Sequence, residues 1–282
     1  MTKISQLLPA HVWFIVSAIF HYLGPSFAVL LFPAVGVLGV AWFRIASAAL
    51  VLGAVANPAK TFQRSDKNIR WLLVGLGLCL AVMNTSFYLA LERLPMSLVA
   101  AMEFVGTIGV ALIGVRSSRN VFALVLAVVG VFVLIDVKWT ANPWGLFWSA
   151  LNALLFVGYI VLGHKAAAEG AAGGVARLSA AMSVAFIVLM PIGFGDALMA
   201  FQSPLLVLAG VGVGICSSVI PYICDQIAMS RLPRGSFALL LALLPATATV
   251  IAAVVLRQIP TMMVLAGIGL VMAGIAVHKP MR

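Results

Sequence analysis

Residues 84–104 read NTSFYLALERLPMSLVAAMEF, and residues 222–242 read YICDQIAMSRLPRGSFALLLA. Each stretch carries an apolar, helix-forming segment into a charged break that ends Arg-Leu-Pro, then resumes an apolar segment. Arg93-Leu94-Pro95 and Arg231-Leu232-Pro233 stand 138 residues apart. Each copy also strands one acid among apolar neighbours, Glu103 after the first break and Asp225 before the second.

Around it, 64% of the 282 residues are apolar, 9% are charged, and the mean hydropathy is +1.19. A soluble domain needs roughly 25% charged residues to face water. The chain is therefore an all-α integral membrane protein. The net charge of +10 does not indicate a nucleic-acid partner, because the basic residues scatter over short gaps and form no stripe. Cys79, Cys216 and Cys224 all lie inside apolar runs and read as small buried hydrophobes. Lys3 and the apolar run after it lack a small-residue cleavage site, which predicts a retained first span.

Each crossing needs about 20 apolar residues as a helix. Ten spans are expected at 10–31, 34–56, 70–91, 95–115, 119–136, 143–164, 174–193, 204–228, 235–256 and 260–278. Pro33, Pro58, Pro95, Pro143, Pro204, Pro233 and Pro260 mark many of the breaks. The runs are long and do not alternate, so a barrel is excluded. With a cytoplasmic N-terminus, thirteen of the seventeen Lys and Arg residues fall on the inner side. Only Arg93, Lys138 and Arg257 fall outside, and Arg44 lies within span 2. Both termini are then cytoplasmic.

The second half repeats the first from Leu94–Ile135 to Leu232–Val277. Five spans per half is an odd number, so the second unit enters the membrane from the opposite face. The expected organisation is a 5+5 inverted-topology repeat, 1–140 and 141–282, as in secondary transporters whose halves enclose a central site.

A charge at mid-membrane costs on the order of 2.5–3.5 kcal/mol on insertion scales and needs a partner or a wet cavity. Glu103 lies eight residues past Pro95 and Arg44 eight past Gly36, which puts both about 12 Å below the outer face. Equal depth permits a Glu103–Arg44 ion pair, either anchoring helices or serving transport. Asp225, six residues before Arg231, lies nearer the inner face. Neutral polar residues fall into stripes on single helix faces. These are Ser17, His21 and Gly24 beside Pro25, which is expected to kink span 1; Asn84 and Tyr88; Trp148, Asn152, Phe156 and Tyr159; and Ser218, Tyr222 and Asp225. Such residues serve either as glue between helices or as a cavity wall. Gly106, Gly109, Gly210 and Gly214 would allow close helix approach.

Gly193-Phe194-Gly195-Asp196 spells GxGD, but the two-carboxylate chemistry of an intramembrane protease has no partner acid here. No HExxH, GxSxG or phosphate-binding loop occurs, and the histidines lack metal-ligand spacing. No enzyme, cofactor or metal is expected.

The chain resembles the EamA-type drug/metabolite transporters, and among them the bacterial threonine/homoserine exporters. The resemblance rests on LFPAVG at 31–36, WFRIA at 42–46, MNTSFYLALERLP at 83–95, AAMEFVGTIGVAL at 100–112, SSVIPYICDQIAMSRLPRGSF at 217–237 and LLPATATVIAAVVL at 243–256. It implies a ten-helix inner-membrane exporter whose spans 1, 3, 4, 6, 8 and 9 surround a central cavity. Arg44, Asn84, Tyr88, Glu103, Tyr222 and Asp225 match or conservatively replace polar positions of the family pattern. There are departures: Thr107 stands where span 4 of the family has Pro, Leu244 where span 9 has Glu before Pro245, and Arg257-Gln258 where span 9 ends in Gly-Glu.

The expectation is a secondary exporter working by alternating access. Its substrate would be a small amphipathic metabolite of amino-acid type, with the bilayer as partner and protons as a candidate coupling ion. The candidate cavity residues are His21, Asn84, Tyr88, Glu103, Trp148, Asn152, Tyr159, Ser218, Tyr222 and Asp225, with Glu103 and Arg44 in the coupling or ion-pair role. Glu103 would receive a substrate ammonium or a proton, and Arg44 would meet a carboxylate or hold Glu103 ionised. Efflux of aromatic or cationic compounds stays open beside this, favoured by Trp148, Phe156 and Tyr159.

Overall fold

The computed structural model describes residues 8–103, 105, 117–136, 142–232, 237, 240 and 243–277. Among these the chain is helical without strands. Six helices are long and apolar enough to cross a membrane: α1 (Ala10–Val35), α2 (Val37–Val55), α3 (Lys67–Leu91), α6 (Pro143–Ala167), α7 (Ala171–Ala197, extended by a 3₁₀ turn to Gln202) and α8 (Pro204–Arg231). Shorter apolar helices are α5 (Ser118–Asp136), α9 (Leu244–Val255) and α10 (Met262–Val277). The start of α4 is helical over 96–103. Lys3, Gly106, Thr107, Gly109, Arg116, Lys138, Arg234, Lys279 and Arg282 lie outside the described residues.

Large apolar side chains face outward, among them Leu50, Trp71, Ile187, Leu205 and Val254. In water such a surface would drive association; against lipid tails it is the expected exterior. The protein is a multi-pass membrane protein.

Helix ends follow local chemistry. Asn57, Asp66 and Asn142 each accept a backbone N–H in the following turn, so free donors at three helix starts are satisfied where the chain leaves the apolar zone. Arg70, Arg119, Arg177 and Arg231 donate to backbone carbonyls (Arg70 to Phe62, Gln63 and Ser65, Arg119 to Val277, Arg177 to Ala166, Arg231 to Leu8), so much of the basic excess ties down chain ends.

Two expected breaks move. α1 runs unbroken through Pro25 and Pro33 and stops at Gly36, whose φ of 77° turns the chain straight into α2. A left-handed residue reverses the chain at once, and glycine takes that conformation without a Cβ penalty. Span 7 likewise continues through Pro191 to Ala197, with Asp196 in its last turn beside Gly36. Arg257 also has positive φ, 54°. It follows Leu256 at the end of α9, and the backbone N–H groups of Leu256 and Gln258 both bond back to Ala252 O, at 3.0 and 3.1 Å, which closes the helix end. The Gln258 side chain accepts from Met96 N at 3.3 Å, joining this loop to the start of α4.

α2 packs on α7, α5 on α10, α3 on α6 and α7, and α1 on α8 and α9. Small residues permit the crossings. A Cβ on Gly24 would fall 2.5 Å from Ser217 N, and one on Gly130 would fall 2.6 Å from Gly267 O. α1, α3, α6 and α8 therefore meet at the centre, where the polar stripes converge.

Candidate functional site

Glu103 sits on α4 with 2% of its surface exposed. Tyr22 OH of α1 donates to its Oε2 at 3.1 Å and Asn152 Nδ2 of α6 donates to its Oε1 at 2.7 Å. Asp225, on α8, is held in the same manner. Ser17 Oγ of α1 donates to its Oδ1 at 2.5 Å and Tyr159 OH of α6 donates to its Oδ2 at 2.9 Å. α1 and α6 thus each send one donor to each acid. Both carboxylates exchange water for neutral donors, which is what a buried acid requires.

Arg44 is a buried cation near these acids, 1% exposed. α8 contains a π-helical turn over Ile215–Val219, followed by Pro221. In an α-helix the Ser217 carbonyl would accept from residue 221, but proline has no N–H to give. Arg44 Nη2 donates to that carbonyl at 3.0 Å, and Arg44 Nε donates to Ser218 Oγ at 2.9 Å. The guanidinium stacks 5.1 Å from the Tyr88 ring centroid and 5.7 Å from that of Phe87. The Arg44–Glu103 ion pair that their spacing permits does not form. The two are not in ion-pair contact, because Arg44 is committed to the open carbonyl of α8; among the described residues the ion pairs are Arg93–Glu92 and Arg177–Glu169. Arg44 still lies within electrostatic reach of Glu103 and His21. Its Nη1 is buried and has no hydrogen-bond partner among the described residues.

Asn84 and Tyr88 face α8 together: Tyr222 OH donates to Asn84 Oδ1 at 2.9 Å and Tyr88 OH to Ser217 Oγ at 3.3 Å. His21 lies between the acids, its ring 5.2 Å from Tyr22 and 6.1 Å from Phe156. A small pocket beside Asp225 is lined by Ser17, His21, Phe156, Tyr159, Phe237 and Leu244, among others, and has room for about one water molecule. Trp148 stands apart, half-buried against Phe147.

Sequence reading missed Tyr22 and Ser217 as site residues. Tyr22 follows His21 directly, so it falls about 100° round the helix from the stripe. Ser217 contributes through its carbonyl, for which the sequence signal is Pro221 four residues on.

Apolar helices around a buried polar centre that holds Glu103, Asp225, Arg44 and His21 define a membrane protein of the transporter class. The EamA-like transporter family profile matches residues 143–278. The chain is 34% identical over 233 residues to the threonine/homoserine exporter RhtA of Salmonella typhimurium strain LT2, covering 80% of this chain and 76% of that protein. It is 32% identical over 253 residues to the threonine/homoserine exporter RhtA of Escherichia coli strain K12, covering 89% and 84%. A solved crystal structure superposes over 94% of this chain and 96% of its own with a TM-score of 0.61 at 18% identity, a likeness of fold alone. The chain belongs to the EamA-like transporter family.

Proposed function

We propose that this protein is a secondary exporter of small amino-acid-like metabolites, threonine or homoserine in type, working by alternating access in the bacterial inner membrane. The architecture would be ten helices in two inverted five-helix units, 1–140 and 141–282, with both termini cytoplasmic. The profile match over 143–278 supports the division, and the named relatives support the substrate class.

One observation carries the substrate reading. Glu103 and Arg44 are opposite charges, both buried, within electrostatic reach, yet each is held by neutral partners and not by the other. A zwitterionic substrate would complement both, its ammonium meeting Glu103 and its carboxylate meeting Arg44 Nη1, which has no hydrogen-bond partner among the described residues. His21, Asn84, Tyr88, Asn152, Tyr159, Ser218, Tyr222 and Asp225 would form the surrounding wall, with Trp148 at its margin. The test is threonine release from cells expressing the protein. Glu103→Gln, which preserves shape and removes charge, should abolish release while leaving membrane expression intact. Undiminished release would overturn the reading.

Aromatic or cationic efflux has one observation in its favour, the ring series Phe156–Tyr159–Tyr222, with centroids 6.1 and 5.4 Å apart. A resistance profile against such compounds discriminates it.

A further inference from the structure

We infer that Asp225 is the proton-binding station of this transporter, separate from Glu103, and that Ser17 is the residue that lets it hold either protonation state. The inference rests on the exporter reading above and assigns its coupling ion.

Geometry separates the two acids. Ser17 and Tyr22, which hold Asp225 and Glu103 respectively, are five residues apart on α1, or about 7.5 Å. Tyr159 and Asn152 are seven apart on α6, or about 10.5 Å, in the reverse order along their helix. Two antiparallel helices therefore offer two carboxylate stations at different depths, with His21 between them.

The stations differ in what they can bind. Asn152 presents an amide N–H to Glu103, and an N–H can only donate. Tyr22 OH also donates to Glu103, and the described residues give that hydroxyl no second acceptor. This pair of donors suits an ionised carboxylate, hence a cationic substrate group. At Asp225 the arrangement is reversible. Ser17 has one hydroxyl proton and two acceptors in reach, Asp225 Oδ1 at 2.5 Å and Pro221 O at 3.1 Å. When Asp225 is ionised, Ser17 donates to Oδ1 and Tyr159 to Oδ2. When a proton adds to Oδ1, that O–H donates to Ser17 Oγ, Ser17 swings its own proton to Pro221 O, and Tyr159 continues to donate to Oδ2. No polar atom is orphaned in either state, so neither incurs the cost of an unmade buried hydrogen bond. The water-sized pocket is lined by Asp225 and not by Glu103, so a water molecule can sit beside Asp225 to carry a proton to or from it.

Every element packed here is compatible with that role. α1 contributes Ser17 and His21, α6 contributes Tyr159, and α8 itself adds Tyr222 and Cys224. Phe237 and Leu244 close the remaining side with apolar surface. No fixed cation contacts Asp225 among the described residues, so a mobile proton can be its positive partner.

Two measurements on the purified full-length protein test this. The first is the pH-difference infrared spectrum, which needs no substrate. A protonated-carboxyl band should be present, absent from Asp225→Asn, retained in Glu103→Gln, and moved in frequency by Ser17→Ala, which removes the hydroxyl that accepts the carboxyl proton. The second is threonine flux in proteoliposomes under an imposed pH gradient, with the unmodified protein responding and Asp225→Asn losing the response. Asparagine should be accommodated, since its amide can donate to Ser17 as the protonated acid would. A band that survives Asp225→Asn, or a variant that still follows the pH gradient, would overturn the inference. If the unmodified protein moves no threonine, the substrate reading fails, while the infrared result still decides the proton site.

Discussion

The Tyr222 hydroxyl donates to Asn84 Oδ1 across 2.9 Å, and the two residues are 138 positions apart, the same interval that separates Arg93 from Arg231. Positions equivalent in the duplicated hairpin thus meet at the centre of the molecule. If two units are related by a two-fold rotation, only residues near the axis can touch their own counterparts. The contact supports the inverted repeat and locates where its axis would pass, between α3 and α8. Tyr222→Phe and Asn84→Ala should each lower thermal stability in detergent modestly. In a double-mutant cycle their coupling should be about 0.6 kcal/mol, and at most about 1.7, as for other hydrogen bonds between membrane helices. Full additivity would mean that the bond contributes nothing.

Arg44 and Pro221 should behave as a coupled pair. Arg44→Met removes the donor from the Ser217 carbonyl, an unsatisfied group costing about 1–3 kcal/mol. Pro221→Ala supplies an N–H at residue 221, so α8 can satisfy that carbonyl by itself. The loss from Arg44→Met should therefore be smaller in the Pro221→Ala background. Lysine should not replace Arg44, since it cannot hold Ser218 Oγ and the Ser217 carbonyl in one planar fork. Thermal denaturation of the four combinations decides it, and equal losses in both backgrounds would refute the coupling.

Gly24 and Gly212 should respond oppositely to alanine. At Gly24 the new Cβ would meet Ser217 N at 2.5 Å and Cα at 2.7 Å, backbone atoms that cannot move aside. Overpacking of this kind costs typically about 1–3 kcal/mol. At Gly212 nothing lies within 4 Å, and alanine should be neutral or stabilising by up to about 1 kcal/mol through helix propensity. Melting temperatures of the two variants provide the check.

Arg257→Gly should stabilise the protein. Arg257 holds a left-handed φ of 54° at the end of α9, which costs a side-chain-bearing residue roughly 1–2 kcal/mol and glycine little. The Gln258-to-Ala252 backbone bond requires that turn whatever the residue. A lower melting temperature for Arg257→Gly would mean that the arginine side chain contributes more than its backbone loses.

Around Glu103, charge should matter more than the number of donors. Tyr22→Phe removes one of two donors and should weaken apparent threonine affinity while leaving transport detectable. Asn152→Asp sets a second carboxylate 2.7 Å from the first in a dry site, where both cannot ionise. That variant should be inactive or poorly folded. Export assays with matched expression controls distinguish the two outcomes.

Much of this was legible in the residues. Long apolar runs broken at short polar gaps are sufficient for a helical membrane protein, because lipid leaves the backbone no other way to satisfy its hydrogen bonds. Glu103, Asp225 and Arg44 stood out for the same reason, as charges too costly to place in hydrocarbon without partners. Stripes at helical spacing brought Asn84, Tyr88, Asn152, Tyr159 and Tyr222 toward the centre, where all five are buried and hydrogen-bonded. Helix ends were less legible, since Pro33 read as a break and span 7 as ending at 193, while the chain turned at Gly36 and after Ala197.

Burial of these ionisable groups follows from the order of residues alone, because one-dimensional hydrophobicity dictates what enters the bilayer. That order could not determine which group faces which. Their spacing puts Arg44 and Glu103 at one expected depth, yet Pro221 on a third helix leaves the Ser217 carbonyl to the guanidinium. Tyr22, Ser17 and the Ser217 carbonyl acquired their roles only when α1, α2, α6 and α8 met. Partner choice depends on distances across helices, and those are set by close-packed crossings such as Gly24 on Ser217, which no single helix encodes.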